Sequence, residues 1–196
     1  KSLSERFKNN NNNDIEFATI YNNIGECYSS LKKQKKALQY LLKGLEIASL
    51  NDDNTLNLSV LYSNLGLVYF ELNEIEKANK FFDKYLDLML KLNGEIHLDT
   101  AKSYNNLGII FTKQKQFTKA LDYLTKGLKI QIAIYNENHQ DIAISYDNIG
   151  YIYSNLGDFS KAKFYYKKAY EILKNVLGEN HPYTIFVQEN ISILGK

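Results

Sequence analysis

A five-letter motif returns four times along the chain at nearly constant spacing. It reads YNNIG, YSNLG, YNNLG and YDNIG, and its first residues are Tyr21, Tyr62, Tyr104 and Tyr146. Successive motifs are therefore 41, 42 and 42 residues apart. Self-similarity at a fixed period of about 20–50 residues is the signature of stacked structural repeats. The spacing predicts a solenoid.

Each repeat contains two stretches in which apolar residues recur at helical spacing, and we name them the A helix and the B helix. The A helix begins shortly before the motif, and a short polar turn joins it to the B helix. The pattern predicts A helices near 15–30, 56–71, 98–113, 140–155 and 183–194. It predicts B helices near 34–50, 75–92, 117–134 and 159–176.

Small residues recur at two fixed places in the repeat. The motif Gly is followed twelve residues later by Ala, at Ala37, Ala78, Ala120 and Ala162. A Gly inside a helix costs about 1 kcal/mol relative to Ala, so a recurring one needs a compensating contact. The pair predicts close packing of the A helix against the B helix of the same repeat.

Composition excludes several classes of protein. The chain has 196 residues, 44% of them hydrophobic, which suffices for a packed core. Lys+Arg 24 against Asp+Glu 22 gives a net charge of +2, so we expect no nucleic-acid partner. Apolar runs are far shorter than the roughly 20 residues that span a bilayer, so we expect a soluble, cytoplasmic protein. The single cysteine, Cys27, excludes an internal disulfide.

The repeated residues carry a family resemblance. Tyr, then Leu or Ile with Gly, then an aromatic residue, then Ala twelve residues after the Gly resembles the tetratricopeptide repeat. The 42-residue period, the YNNLG wording and the GENHP loop at Gly178–Pro182 resemble the repeats of kinesin light chains in particular. The resemblance implies an all-α, right-handed α-solenoid of antiparallel helix pairs, with four repeats and a terminal capping helix.

The period also divides the chain. Repeats 1 to 4 are predicted at 14–54, 55–96, 97–138 and 139–180, and the capping helix at 181–196. Residues 1–13 are interpreted as the end of a preceding helix, KSLSERFK, followed by an Asn-rich loop. Because the chain begins with Lys and not Met, we expect it to be part of a longer protein.

The three histidines lie on the repeat period. Seven residues before each motif Tyr, or its counterpart in the last helix, the chain has Asp14, Thr55, His97, His139 and His181. Asp and Thr favour helix N-caps, so the whole column is predicted to start the A helices. Equivalent points on successive repeats are too far apart to share one metal ion. We predict no metal, no cofactor and no catalytic residue, since phosphate loops and nucleophile elbows are also missing from the sequence.

The third letter of the motif is always Asn. The motif Tyr, the Leu or Ile, and the Gly form one stripe of the A helix, which we call the packing stripe. At about 100° per residue the Asn lies roughly 150° from the middle of this stripe, so it points away from the core. The resemblance implies that these residues, the ladder asparagines, line the concave groove; they are Asn23, Asn64, Asn106, Asn148 and Asn190. Peptide contact, bonding between neighbouring A helices and inheritance without a role remain open at this point.

Further side chains share this predicted groove. Apolar Leu67, Ile109 and Tyr151 follow ladder asparagines by three residues, Asn22 and Asn105 precede them by one, and Lys102 and Lys113 add positive charge. Amides beside exposed apolar residues suit peptide recognition. We therefore predict a non-enzymatic adaptor that binds a short segment of a partner protein. The alternatives are a structural scaffold in a larger assembly, with cytoskeletal or motor-associated assemblies among the options, and a sensory repeat region of a larger enzyme.

Overall fold

The computed structural model describes residues 11–50 and 55–194, with side chains from residue 15 onward. These residues form nine α-helices and no strand. In chain order they are α1 (Asn11–Ser30), α2 (Gln34–Ala48), α3 (Thr55–Glu71), α4 (Ile75–Asn93), α5 (Leu98–Lys113), α6 (Phe117–Ile134), α7 (Gln140–Asn155), α8 (Phe159–Leu177) and α9 (Pro182–Ile193). The odd-numbered helices are the A helices and the even-numbered ones the B helices, which confirms the predicted all-α arrangement of helix pairs.

The chain divides into two compact units, Lys1–Leu92 and Asn93–Lys196. In unit 1, α2 packs against both α1 and α3, and Leu41, Leu61 and Leu65 are fully buried. In unit 2, α6 packs against α5 and α7, and α8 packs against α7 and α9. The core of unit 2 is built from residues such as Leu124, Ile149 and Leu173. Each unit is thus a stack of helix pairs in which an inner B helix packs against the A helices on both sides, and successive A helices also touch each other.

The motif glycines make the close approach that the sequence predicts. A Cβ on Gly108 would lie 2.5 Å from Cγ of Leu124, and one on Gly25 would lie 2.6 Å from Cγ of Leu41. In every repeat the obstructing residue comes sixteen positions after the Gly; the other two are Phe82 opposite Gly66 and Tyr166 opposite Gly150. Real Cβ atoms do not approach so closely, so only Gly fits at these positions without displacing the B helix.

An aromatic cluster lies between the A helix and the B helix of each pair. In the first repeat Tyr40 of the B helix stacks on both Tyr21 and Tyr28 of the A helix, with ring centroids 6.2 and 5.4 Å apart. Lys43 lies over Tyr21 and Tyr40, and Lys36 lies over Tyr28. Equivalent clusters recur in the other three repeats around Phe81, Tyr123 and Tyr165. Stacking and cation–π contacts therefore supplement the aliphatic core of both units.

The start of α1 differs from the sequence prediction. The helix begins at Asn11, so Asn11–Asn13 are helical and Asp14 lies within the helix rather than at its N-cap. Asn lowers helix propensity by only a few tenths of a kcal/mol and does not break a helix as Pro does, so a run free of Gly and Pro can extend it. The predicted end of a preceding helix at KSLSERFK lies outside the described residues. Among the helices described, none is both long and apolar enough to cross a membrane.

Candidate functional site

The A helices of unit 2 all begin at a histidine cap. Nδ1 of His97, His139 and His181 accepts a hydrogen bond from the backbone N–H two residues later, at 3.2 Å in each case. These residues have extended backbone, as N-caps do. The predicted capping role of the three histidines is confirmed. In unit 1, α3 begins at Thr55 itself.

The ladder asparagines are not equally accessible. Asn23 is exposed, whereas Asn64, Asn106, Asn148 and Asn190 are half-buried. They lie on A helices away from the motif Gly, which faces the B helix. Three residues further on, Leu67, Ile109 and Tyr151 expose 42%, 37% and 52% of their surface. The face opposite the packing stripe therefore presents amides beside exposed apolar side chains.

In unit 1 the amide of one ladder asparagine is used within the fold. Nδ2 of Asn64 donates to Oδ1 of Asn22 at 2.9 Å and so ties α3 to α1. Asn22 is only 7% exposed, so it is less available to a partner than the sequence suggested. Asn22 precedes the ladder position by one residue, and this step turns its side chain about 100° towards the neighbouring helix pair. A small cavity of about 190 Å³ beside Asn64 and Leu67 is lined mainly by α1 and α3.

In unit 2 the corresponding amides have different partners. Nδ2 of Asn105 donates to Oγ of Ser145 at 3.3 Å, and that hydroxyl donates to Oε1 of Gln131 at 2.7 Å. The Asn105 side chain lies over Gly127, where any Cβ would collide with it. Nδ2 of Asn106 is buried and has no hydrogen-bond partner among the residues that the structure describes. An unpaired buried donor costs about 1–3 kcal/mol.

A cavity of about 470 Å³ opens between α5, α6 and α7. It is lined from three elements by Leu98, Asp99, Lys102, Asn105, Gln131, Tyr135, Asp141 and Ile144. The hydroxyl of Tyr135 donates to Oδ2 of Asp141 at 3.2 Å. Burial raises the pKa of Tyr135, and the negative charges of Asp141 and Asp99 raise it further. Two of the predicted groove residues, Lys102 and Asn105, thus line the same cavity. Lys113 is exposed at the far end of α5.

A second polar cluster lies where α7 meets the terminal helix α9. The hydroxyl of Tyr183 donates to Oδ2 of Asp147 at 2.9 Å. Burial raises the pKa of Asp147 although the Tyr183 hydrogen bond opposes the shift, and burial together with the Asp147 charge raises the pKa of Tyr183. Tyr166, which reaches past Gly150, also has a raised pKa, first because of burial and then because of Asp147.

Sequence reasoning missed six of the eight cavity residues, and the four polar ones among them are Asp99, Gln131, Tyr135 and Asp141. A signal for two of them was present, because Asp99 and Asp141 each follow a capping His by two residues and are 42 residues apart. No comparable signal marked Gln131 or Tyr135, which come from the end of a B helix where the repeats differ most.

Comparison with known proteins agrees with this geometry. The family model described as tetratricopeptide repeat matches residues 16–91 and 99–175. The chain belongs to the tetratricopeptide-repeat family. A search of curated protein sequences finds no match.

Several solved structures share the fold. BtubC (BKLC) from P. vanneervenii is 22% identical with a TM-score of 0.75, and the match covers 84% of this chain and 66% of that one. A Podosopora anserina protein named as a kinesin light chain, with nearly identical TPR-like repeats, is 14% identical with a TM-score of 0.72, over 90% of this chain and 84% of that one.

The tetratricopeptide-repeat sensor protein PH0952 from Pyrococcus horikoshii, a signal transduction ATPase with numerous domains, is 21% identical with a TM-score of 0.79. The match covers 92% of this chain but only 27% of that one. The chain therefore spans less than two thirds of some of the structures it resembles. At these identities the likeness establishes the fold, and tetratricopeptide-repeat domains as a class mediate protein–protein interactions.

Proposed function

We propose that the chain is an adaptor that binds an extended segment of a partner protein along the A-helix face of unit 2. The observation that carries the proposal is the buried, unpaired Nδ2 of Asn106, which a backbone carbonyl oxygen of a bound segment would satisfy once the half-buried side chain turns towards it. Ile109, three residues later, and Tyr151 at the equivalent place in α7 are exposed and offer contacts for apolar side chains.

The structure bears on the alternatives separately in the two units. The hydrogen bond from Asn64 to Asn22 favours bonding between A helices as the role of the ladder in unit 1. For Asn106 the same explanation fails, since its amide nitrogen has no partner to bond. Peptide contact therefore suits unit 2, and stiffening of the stack suits unit 1.

The test is peptide binding to ladder variants. Peptides selected from a random dodecapeptide display library on the purified chain are measured by titration calorimetry against the wild type and Asn106→Ala/Asn148→Ala. The double variant should weaken binding by about 1–3 kcal/mol, the cost of unpairing buried hydrogen bonds, with little change in melting temperature.

A matched control replaces two polar residues on the B helices, Thr125→Ala and Asn79→Ala, which lie away from this face. Affinity that is unchanged in the ladder variant while its fold stays intact would refute the proposal.

A further inference from the structure

The cavity between α5, α6 and α7 is an exception to the repeat. In unit 1 the residues equivalent to Lys102 and Asp141 are Thr19 and Asn57, and their side chains meet, with Oγ1 of Thr19 3.3 Å from Oδ1 of Asn57. Nδ2 of Asn57 also donates to the carbonyl oxygen of Ile15 at 3.3 Å. The equivalent space between α1 and α3 is therefore bridged by the protein's own side chains.

The same position is also closed at the end of the chain. There Tyr183 stands where α7 has Asp141, and Asp147 stands where α5 has Asn105. The Tyr183 ring spans the gap and its hydroxyl donates to Asp147. Between α5 and α7 the short Asp141 replaces that ring, and about 470 Å³ stays open. The open site results from a side chain too small to reach across it.

The charged groups that line this cavity are more negative than positive. Asp99 and Asp141 bring two carboxylates and Lys102 brings one ammonium, and neither carboxylate forms an ion pair with a Lys or Arg within the described part of the chain. Nδ1 of His97 and of His139 accepts a backbone N–H from Asp99 and Asp141 respectively. Two carboxylates and one ammonium carry a net charge of −1, which favours a positively charged ligand.

Gln131 adds a second, independent indication of a ligand. Its side chain is 5% exposed and lines the cavity. Asn105 donates to Ser145, and Ser145 donates to Oε1 of Gln131, so Oε1 is an acceptor. Nε2 of Gln131 is therefore a donor, and it has no hydrogen-bond partner among the described residues. An amide donor at a cavity wall can bond an incoming carbonyl oxygen.

We propose that this cavity takes a Lys or Arg side chain of the bound segment. The positive group pairs with Asp99 and Asp141, the aliphatic stem packs on Leu98 and Ile144, and Nε2 of Gln131 donates to a carbonyl oxygen of the segment. The inference rests on the proposed function, since it names a side chain that the partner segment must carry.

The test uses the same selected dodecapeptides. Lys or Arg should be enriched at one position, and Asp99→Asn/Asp141→Asn should weaken the best peptide about tenfold or more, because a charge-assisted pair is lost. Replacing the basic residue of the peptide by Ala should have no additional effect in that variant. The control Asp122→Asn/Glu171→Gln removes two negative charges on B helices that do not line the cavity, and it should leave affinity unchanged.

A second variant tests the space itself. Asp141→Tyr places at α7 the side chain that closes the equivalent site at α9, so it should abolish binding of the basic peptide while circular dichroism and the melting temperature show a folded chain. Peptides that still bind Asp141→Tyr at wild-type affinity would overturn the proposal.

The outcomes separate this inference from the adaptor function. Peptides that depend on Asn106 and Asn148 but have no basic preference would refute the cavity assignment alone. Enrichment of acidic residues whose binding is lost in Lys102→Ala would also refute it. Basic peptides that depend on Asp99 and Asp141 but not on the ladder would uphold the cavity and refute the ladder, and no peptide binding at all would refute both.

Discussion

The A-helix faces of the two units carry nearly the same letters and use them differently. In unit 1 the ladder amide of Asn64 bonds Asn22, so the polar groups of neighbouring A helices satisfy each other. In unit 2 Asn105 bonds Ser145, Asn106 keeps an unpaired donor, and a cavity stays open beside them. The packing stripe is thus the same in both units, whereas the hydrogen bonds on the opposite face differ.

One pair of residues explains much of the divergence. Ser145 of α7 is equivalent to Leu61 of α3, and Gln131 of α6 is equivalent to Ala48 of α2. Leu61 and Ala48 are fully buried apolar residues, and Leu61 lies close enough to touch a Cβ at Gly44, at 3.0 Å. Ser145 and Gln131 instead form a buried polar pair that draws in the Asn105 amide. Asn105 therefore bonds to this polar pair, whereas Asn22 at the equivalent position accepts a hydrogen bond from Asn64.

The largest expected effect tests what the two units share. Gly25→Leu in unit 1 and Gly108→Leu in unit 2 should each lower the free energy of unfolding by about 3 kcal/mol or more, because four carbons must enter a space already filled by Leu41 or Leu124. Urea denaturation followed by circular dichroism measures both.

Matched controls add the same side chain at exposed positions of the same helices, with Asn23→Leu on α1 and Ile109→Leu on α5. These should change stability by less than about 0.5 kcal/mol. A tolerated Leu at Gly108 but not at Gly25 would mean that the packing stripe, too, differs between the units.

The packing stripe was accessible to sequence reasoning because it depends on residues at fixed short spacing. The helix ends and the histidine caps follow from local chemistry, and the Gly–Ala pairs follow from the period. The partner of each Asn does not, since it is set by Ser145 or Leu61 on the next A helix, about 40 residues away. The cavity could not be predicted from the sequence either. It stays open because the side chain of Asp141 is shorter than that of Tyr183, which closes the equivalent space.

An intermediate effect should distinguish the two ladders. Asn64→Ala should lower the free energy of unfolding by about 1–3 kcal/mol, because it leaves the buried Oδ1 of Asn22 without its donor. Asn106→Ala should leave stability unchanged or raise it slightly, because its Nδ2 has no bond to lose. Thermal and urea unfolding of the two single variants measure the contrast, and equal losses would contradict it.

The smallest effect concerns Asp147, which stands in unit 2 where the first and third repeats have Asn22 and Asn105. Burial raises the pKa of Asp147, so the folded chain holds its proton more tightly than the unfolded chain. The stabilisation from that proton is complete below the usual value of 3.8 and is lost as pH rises through the raised pKa. Asp147→Asn keeps an acceptor for Tyr183 and removes the charge, so it should stabilise the chain at pH 7 by less than the Asn64 loss. Its advantage over the wild type in melting temperature should shrink as pH falls towards 3.5; an advantage that grows at low pH would show that the Asp147 carboxylate is favoured by the fold.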